Sequence, residues 1–155
     1  METVKLTLVD RVTGKKGAKA VRKENYIPVE IYGKSLESNI SGSIARKEFA
    51  KALNTDRGKN VVIELQHKGK TIKTIPHDLQ IHPVKTWIIH ADLLALKDDE
   101  NVFISVPVRK IGRSQGEIAG GRVFQVVKEV RVVCKPDKIP AYICLLYTSD
   151  AADEE

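Results

Sequence analysis

The stretch IPVEIYG, residues 27–33, decides the fold because its apolar and polar side chains alternate. Alternation with a period of two is typical of a β-strand with one buried face. The first, third and fifth residues then point to one side of the strand, whereas Glu30 and Tyr32 point to the other. Further strand patterns are VKLTLV (residues 4–9), NVVIELQ (60–66), TIKTI (71–75), DLQIHP (78–83) and WIIHADLLAL (87–96). We predict a mainly β protein with short helices.

Short helices and one tight turn are predicted between these strands. AKAVRKE (residues 18–24) allows one or two helical turns, ended by Asn25 and by Pro28 beyond it. ARKEFAKAL (residues 45–53) has apolar side chains at helical spacing. HKGK (residues 67–70) separates two strand patterns and predicts a hairpin turn.

Two β-domains are predicted, separated by the polar and acidic connector KDDEN at residues 97–101. Residues 1–97 form the first domain, whose strands we expect to close into a β-barrel. Residues 98–143 contain a strand pattern, a glycine-rich region and a strand-rich stretch at residues 122–134, which indicate a smaller and incomplete β-domain. We expect unpaired strand edges in that second domain.

The last residues of the chain, CLLYTSDAADEE (144–155), match neither neighbour in composition. They resemble the in-frame translation of the transposon-end adapter that is used to prepare sequencing libraries. We therefore expect residues 144–155 to be a non-native tail, and the natural sequence to be truncated near Ile143.

The charge of the chain predicts a polyanionic partner. The sequence contains 26 Lys and Arg against 20 Asp and Glu, a formal net charge of +6, and four of the acids lie in the last six residues. Without the tail, 26 cations stand against 16 acids, a net charge of +10. The N-terminus lacks the apolar core of a signal peptide and no apolar run approaches bilayer length, so we expect a cytoplasmic protein.

A catalytic or metal-binding role has little support in the sequence. In the triplet HAD, His90 and Asp92 share one face of a strand, and a carboxylate that orients a histidine is half of a hydrolytic triad. No G-x-S-x-G motif accompanies them, so a His/Asp hydrolase is the weaker alternative. The histidines lack metal-ligand spacing, and Cys134 and Cys144 form no C-x-x-C pair. We predict no enzymatic activity, no metal and no cofactor.

The segment RVTGKKGAKAVRK, residues 11–23, carries six cations and no acid. Its glycines predict a loop in which the backbone can approach another chain closely. Further on, Lys19, Arg22 and Lys23 recur at helical spacing and can share one face. Such a surface neutralises phosphates, and Tyr32 nearby supplies a ring for packing on ribose or base. The segment predicts a nucleic-acid-binding element, and the lack of an apolar face argues against membrane binding.

Several motifs occur together in the order and spacing of a known family. They are Arg11, GAKAVRK (17–23), IPVEIYG (27–33), DLQIHP (78–83), HAD (90–92), VPV (106–108), Gly120 with Gly121, CKP (134–136) and Ile139 with Pro140. In this order the sequence resembles bacterial large-subunit ribosomal protein twenty-five. The second unit resembles the longer, two-domain form of that family, called Ctc or general stress protein.

The resemblance implies a fold and a function. It implies an N-terminal β-barrel that binds 5S rRNA in the central protuberance of the large ribosomal subunit, beside other large-subunit proteins. It implies no enzymatic activity, no small-molecule substrate and no membrane. The RNA-contact residues implied by matching positions are Arg11, Arg22, Tyr32, His90 and Asp92, and we add Lys15, Lys16 and Lys19 because they lie in the same basic segment. In this interpretation Asp92 accepts a hydrogen bond from a ribose 2′-OH or a base amino group, which a lysine is unable to do.

Two alternatives remain open when the resemblance is set aside. The charge pattern is also compatible with a non-ribosomal, stress-related protein that binds RNA or DNA. The His90–Asp92 pair keeps the hydrolase alternative open, and it would fall if His90→Ala impaired RNA binding and no substrate turnover were detected.

Overall fold

The computed structural model describes residues 3–11 and 13–146 and has the predicted mainly β fold with short helices. The strands of the first sheet are β1 (Thr3–Thr7), β2 (Val9–Asp10), β3 (Tyr26–Tyr32), β4 (Ile40–Ala45), β5 (Val62–His67), β6 (Lys70–Ile81) and β7 (Ile88–Ala95). The strands of the second sheet are β8 (Val102–Ile111), β9 (Glu129–Cys134) and β10 (Ile143–Leu146). The helices are α1 (Lys15–Lys23), α2 (Arg46–Leu53) and α3 (Gln115–Ile118), and 3₁₀ turns occur at Gly58–Asn60 and Pro136–Lys138.

The first sheet has the strand order β1-β5-β6-β7-β3-β4-β2 and curls into a half-barrel. At one edge β1 pairs in parallel with β5, and at the other edge β2 pairs antiparallel with β4. Only Leu8 separates β1 from β2, and its amide donates to the Gln66 carbonyl at 3.1 Å. Residues 3–10 therefore form both edge strands of the sheet, and the continuity of this segment brings the two edges together.

The alternation in β3 places its apolar side chains in the core. Ile27, Val29 and Ile31 have no exposed surface, and Phe49 of α2 is equally buried in the same cluster. Each such side chain contributes about 1.5–3 kcal/mol relative to leaving it in water. The polar side of β3 stays half-buried, which leaves it available for other contacts.

Gly42 of β4 permits the closure of the half-barrel. A Cβ atom there would lie 2.6 Å from Leu8 Cδ1 and 2.7 Å from Leu8 Cγ, and Leu8 is only 5% exposed. We expect Gly42→Ala to lower the free energy of unfolding by about 1–3 kcal/mol, the usual cost of overpacking, as measured by urea denaturation. Gly116→Ala is the control, since a Cβ there would meet only Ser114 Oγ at 3.9 Å. Unchanged stability of Gly42→Ala would contradict this packing.

The predicted hairpin turn lies between β5 and β6. Lys68 and Gly69 are its central residues, with φ of 48° and 76°, the left-handed region that a two-residue type I′ turn requires. His67 Nε2 lies 2.6 Å from Asp10 Oδ1, and this hydrogen bond lowers the pKa of the Asp10 carboxyl. The turn is thereby tied to β2.

The second sheet has the order β10-β8-β9, with β10 parallel and β9 antiparallel to β8. The inward side chains of β8 share one core with Val62 and Ile75 of the first sheet. Arg57, which follows α2, donates from Nη1 to the Ile139 carbonyl at 3.0 Å. The two predicted domains are therefore packed together through a common core and a specific hydrogen bond.

Two segments differ from the sequence prediction. The helix α1 begins at Lys15, whereas a loop was predicted as far as Gly17. Ala18 donates its amide to the Gly14 carbonyl at 3.1 Å, which closes a first turn, and lysine is a good helix former. In the stretch predicted as strand-rich, only β9 is a strand, and residues 122–128 are irregular.

The predicted non-native tail falls partly on the second sheet. Residues 144–146 lie in β10, where Cys144 pairs with Arg109 of β8. Residues 147–155 lie outside the described residues. Among the residues that the structure describes, no helix is both long and apolar enough to cross a bilayer.

Candidate nucleic-acid interface

The side of the first sheet that faces away from its core carries a row of polar side chains. Strand pairing places Glu30 of β3 opposite Ser41 of β4 and beside Asp92 of β7, which is in turn opposite Asp78 of β6. The row thus crosses four strands. We call this side the outer face, and its oxygen atoms offer hydrogen-bond acceptors to a partner.

His90 and Asp92 lie side by side on the outer face, as the strand period predicted. His90 Nδ1 is 3.4 Å from Asp92 Oδ1, and the two side chains are 21% and 32% exposed. Both are therefore accessible, and the carboxylate keeps acceptor capacity beyond its contact with the ring. The pair can present an imidazole N–H and carboxylate oxygens to the same partner.

Arg11 lies at the edge of the outer face, where it is held by the sheet. Its side chain is only 5% exposed, and it donates from Nε to the Gly42 carbonyl at 3.0 Å and from Nη2 to Glu30 Oε1 at 2.5 Å. Ser41 donates to both Glu30 oxygens, at 2.8 and 2.7 Å. Arg11 thus neutralises and orients Glu30 within the acceptor row, a position that suits an organising role.

The helix α1 is fixed beside the outer face by Arg22. Its Nε donates to the Ile89 carbonyl at 2.9 Å, one residue before His90. On the solvent side of the helix, Lys15 and Lys19 are exposed and one turn apart, with Lys16 and Lys23 exposed as well. In the described part of the chain these four lysines make no ion pair.

The two lysines that begin α1 stand at the positive end of the helix dipole. Lys15 and Lys16 occupy the first turn, which contains no acid. Each cation at this end of a helix destabilises it by roughly 0.3–1 kcal/mol. Within residues 3–11 and 13–146 no ion pair offsets this charge, and a polyanion bound at the helix would do so.

On the outer face, the Tyr32 ring of β3 reaches past β7 to the strand β6. Its ring meets that of His77 edge-on, with centroids 6.0 Å apart and planes at 83°. Burial raises the pKa of the Tyr32 hydroxyl, and the negative charges of Asp92 and Asp78 raise it further. Tyr32, His90 and Asp92 therefore belong to one surface.

This proximity can be tested through the titration of Tyr32. We expect Asp92→Asn to lower the pKa of Tyr32 towards the ordinary tyrosine value, since one of the charges that raise it is removed. The neutral phenol stabilises the fold below about pH 10, and that contribution is lost as the pH rises through the higher pKa of the folded state. The measurement is tyrosine-selective NMR across alkaline pH, with Glu100→Gln, an acid that is not among the charges raising this pKa, as the control. An unchanged pKa would contradict the placement of Asp92.

A cationic aromatic cluster beside α1 was not predicted from the sequence. The guanidinium of Arg46 lies 4.2 Å from the centre of the Trp87 ring, and Lys85 Nζ lies 4.7 Å from it. Trp87 is 37% exposed, and Arg46 Nη2 also donates to the Arg22 carbonyl at 3.5 Å. The available signal was the single tryptophan of the chain, two residues after a lysine. This cluster extends the cationic surface from α1 to the β6–β7 turn.

The structure brings the predicted site residues together on one side of the molecule. His90, Asp92 and Tyr32 occupy the outer face, Arg22 joins α1 to it, and Arg11 supports it from the edge. The lysines of α1 adjoin this face. A rigid β-surface with hydrogen-bonding side chains and a cationic helix at its side defines the class of module that binds folded nucleic acids by shape and charge.

Comparison with known proteins identifies the family within this class. The Ribosomal L25p family matches residues 6–93, and the family described as ribosomal protein TL5, C-terminal domain, matches residues 101–145. The chain belongs to the Ribosomal L25p family.

Curated relatives extend over almost the whole chain. Proteins described as large ribosomal subunit protein bL25 are 33% identical in Sorangium cellulosum, over 92% of this chain and 63% of the relative, and 37% identical in Novosphingobium aromaticivorans, over 90% and 69%. The relative from Chlamydia abortus is 32% identical over 90% of this chain and 78% of its own length. The chain thus spans between 63% and 78% of the length of these relatives.

Proposed function

We propose that the protein is a structural, non-enzymatic component of the bacterial large ribosomal subunit that binds 5S rRNA in the central protuberance. Its other partners are large-subunit proteins at that place, and it acts in the cytoplasm without a cofactor. The observation that carries the proposal is the hydrogen bond from Arg22 to Ile89, which fixes a helix with four exposed lysines beside His90 and Asp92. Membership of the Ribosomal L25p family supports the same function.

The helix supplies affinity in this proposal. Lys15, Lys16 and Lys19 are exposed and contact phosphates, and each contact releases condensed counterions from the RNA. Because these contacts are independent of sequence, they position the RNA without selecting it.

The outer face supplies selectivity. The minor groove of A-form RNA is wide and shallow and displays 2′-hydroxyls and base edges. Asp92 accepts from these donors, while the His90 ring and the Tyr32 hydroxyl donate to acceptors beside them. We assign Arg11 a positioning role in the same recognition, because its guanidinium holds Glu30 in the acceptor row and is itself little exposed.

Binding of the purified protein to RNA tests the proposal. We expect tighter binding to 5S rRNA than to an unrelated RNA duplex of equal length, because only 5S rRNA matches the outer face. With both RNAs the logarithm of the binding constant should fall linearly with that of the salt concentration, by about 0.7–0.9 for each phosphate contact. Equal affinity for the two RNAs, together with absence of the protein from large subunits on co-sedimentation, would favour a non-ribosomal nucleic-acid-binding protein instead.

A further inference from the structure

A cleft of about 870 Å³ lies where the second sheet meets the first. One wall is the outer face, at His77, Asp78 and Asp92. A second wall is the solvent side of β8 and β9, and a third consists of the segment from Thr55 to Asn60. Because Asp92 and Asp78 belong both to the cleft and to the outer face, a ligand on the outer face has direct access to the cleft.

The charges in the cleft are unevenly distributed over its walls. The outer-face wall has the carboxylates of Asp78 and Asp92. The other two walls have four cations, Arg57, Lys59, Arg109 and Arg131, against two acids, Asp56 and Glu129. The ligand that suits this arrangement has hydrogen-bond donors on one side and negative charge on the other. A ribonucleotide has both, in its 2′-OH and amino groups and in its phosphate.

An exposed aromatic ring stands in the same cleft. Phe103 lies on the solvent side of β8, where it is 69% exposed and pairs across the sheet with Val133. Arg131 is on the same side, opposite Ser105. An aromatic ring next to cations is the usual platform for an unstacked base of single-stranded nucleic acid.

The third wall contains a buried amide without a partner. Asn60 is 3% exposed, and within the described residues its Nδ2 has no hydrogen-bond partner. Thr55 Oγ1, in the same wall, is likewise buried without one. A buried donor left unpaired costs about 1–3 kcal/mol, so such groups are normally satisfied. A rearrangement of this segment would be needed to bring an acceptor atom of a ligand to the Asn60 amide.

We propose that this cleft binds an unpaired nucleotide of the RNA that the outer face holds, with Phe103 stacking on the base and Arg131 and Lys59 contacting the phosphate. The inference rests on the proposed function, since the same RNA must occupy the outer face. It assigns the second sheet a direct part in RNA binding.

Affinity measurements with 5S rRNA test the cleft. We expect Phe103→Ala and Arg131→Ala each to weaken binding about fivefold or more, the lower end of what loss of one stacking contact produces. The matched controls are Val126→Ala, which removes an exposed apolar side chain outside the cleft, and Arg122→Ala, which removes one exposed cation outside the cleft. Both controls should bind like wild type. All four side chains are exposed, so the variants should fold, which circular dichroism verifies.

Chemical probing of the RNA and crosslinking supply further readouts. Wild-type protein should protect one or a few unpaired nucleotides, and Phe103→Ala should restore the reactivity of these nucleotides alone. A photo-crosslinker at Ser105, in a mixture with large ribosomal subunits, should join to RNA. A crosslink to a ribosomal protein alone would overturn the proposal.

The outcomes separate this inference from the proposed function. If Lys15→Ala/Lys19→Ala weakens binding while Phe103→Ala and Arg131→Ala match their controls, the cleft proposal is wrong and the proposed function stands. If wild-type protein shows no preference for 5S rRNA, both are wrong.

Discussion

Replacing Lys15 and Lys19 with alanine is expected to weaken binding of 5S rRNA by roughly 25- to 60-fold at about 0.1 M salt. This factor takes the affinities of variant and wild type as equal at about 1 M salt, where phosphate contacts contribute little. The two lysines are one turn apart on the exposed side of α1 and make no ion pair within the described residues. Each lost phosphate contact lowers the log–log salt slope by about 0.7–0.9, so the slope should fall by about 1.4–1.8.

The helix α2 offers a matched control for this variant. Lys47 and Lys51 have the same spacing, are equally exposed and lie on a helix away from the outer face. Lys47→Ala/Lys51→Ala removes the same charge from the chain, so it separates local contacts from the effect of net charge. Equal weakening by both double variants would show that α1 has no special part in binding.

The second large effect is expected from Arg22→Lys, which retains the charge and removes the anchor. A lysine has no donor in the place of Nε, so the hydrogen bond to the Ile89 carbonyl at 2.9 Å is lost. A hydrogen bond with a charged donor contributes about 1.5–3 kcal/mol, so we expect at least a roughly tenfold loss of affinity for 5S rRNA. The salt slope should remain as in wild type, because no positive charge has been removed.

The neighbouring residue supplies the comparison for Arg22→Lys. Lys23→Ala removes an exposed cation and leaves the anchor intact, so it should lower the salt slope by about 0.7–0.9 if Lys23 contacts a phosphate. Wild-type affinity of Arg22→Lys would mean that the placement of α1 is independent of the Ile89 contact, and the coupling of helix and sheet would be wrong.

The features that the sequence predicted are those that follow from the alternation of side chains along a strand. The alternation in IPVEIYG predicted the buried side of β3, and Ile27, Val29 and Ile31 are indeed fully buried. The same alternation predicted that His90 and Asp92 lie together, and His90 Nδ1 is 3.4 Å from Asp92 Oδ1. Strand faces follow from the backbone alone, so these predictions need no knowledge of distant residues.

The features that the sequence did not predict depend on contacts between distant segments. The sequence predicted Arg11 as an RNA contact of the basic segment and gave no sign that Gly42 and Glu30 of two other strands hold its side chain. The cluster at Trp87 forms because Arg46 comes to the ring from the start of α2. Pairing of strands that are far apart in sequence creates these sites, and no local pattern encodes it.

The packing of the second sheet against the first is another feature that the sequence did not predict. The acidic connector lies between β7 and β8, but it gave no sign that Val62 and Ile75 of the first sheet share a core with the second sheet. The cleft lined by Asp92, Phe103 and Asn60 exists because of this packing. The cleft beside the second sheet thus depends on residues of the first sheet that lie dozens of positions earlier in the sequence.

The central claim is that α1 and the outer face form one preformed surface for folded RNA. Amide chemical-shift mapping of the isotope-labelled protein during titration with 5S rRNA tests it most directly. The predicted result is a contiguous set of changes that includes Lys15, Lys19, Tyr32, His90 and Asp92, with Lys47 and Lys51 unaffected. Changes confined to the exposed side of α2, with α1 and β7 unaltered, would contradict the claim.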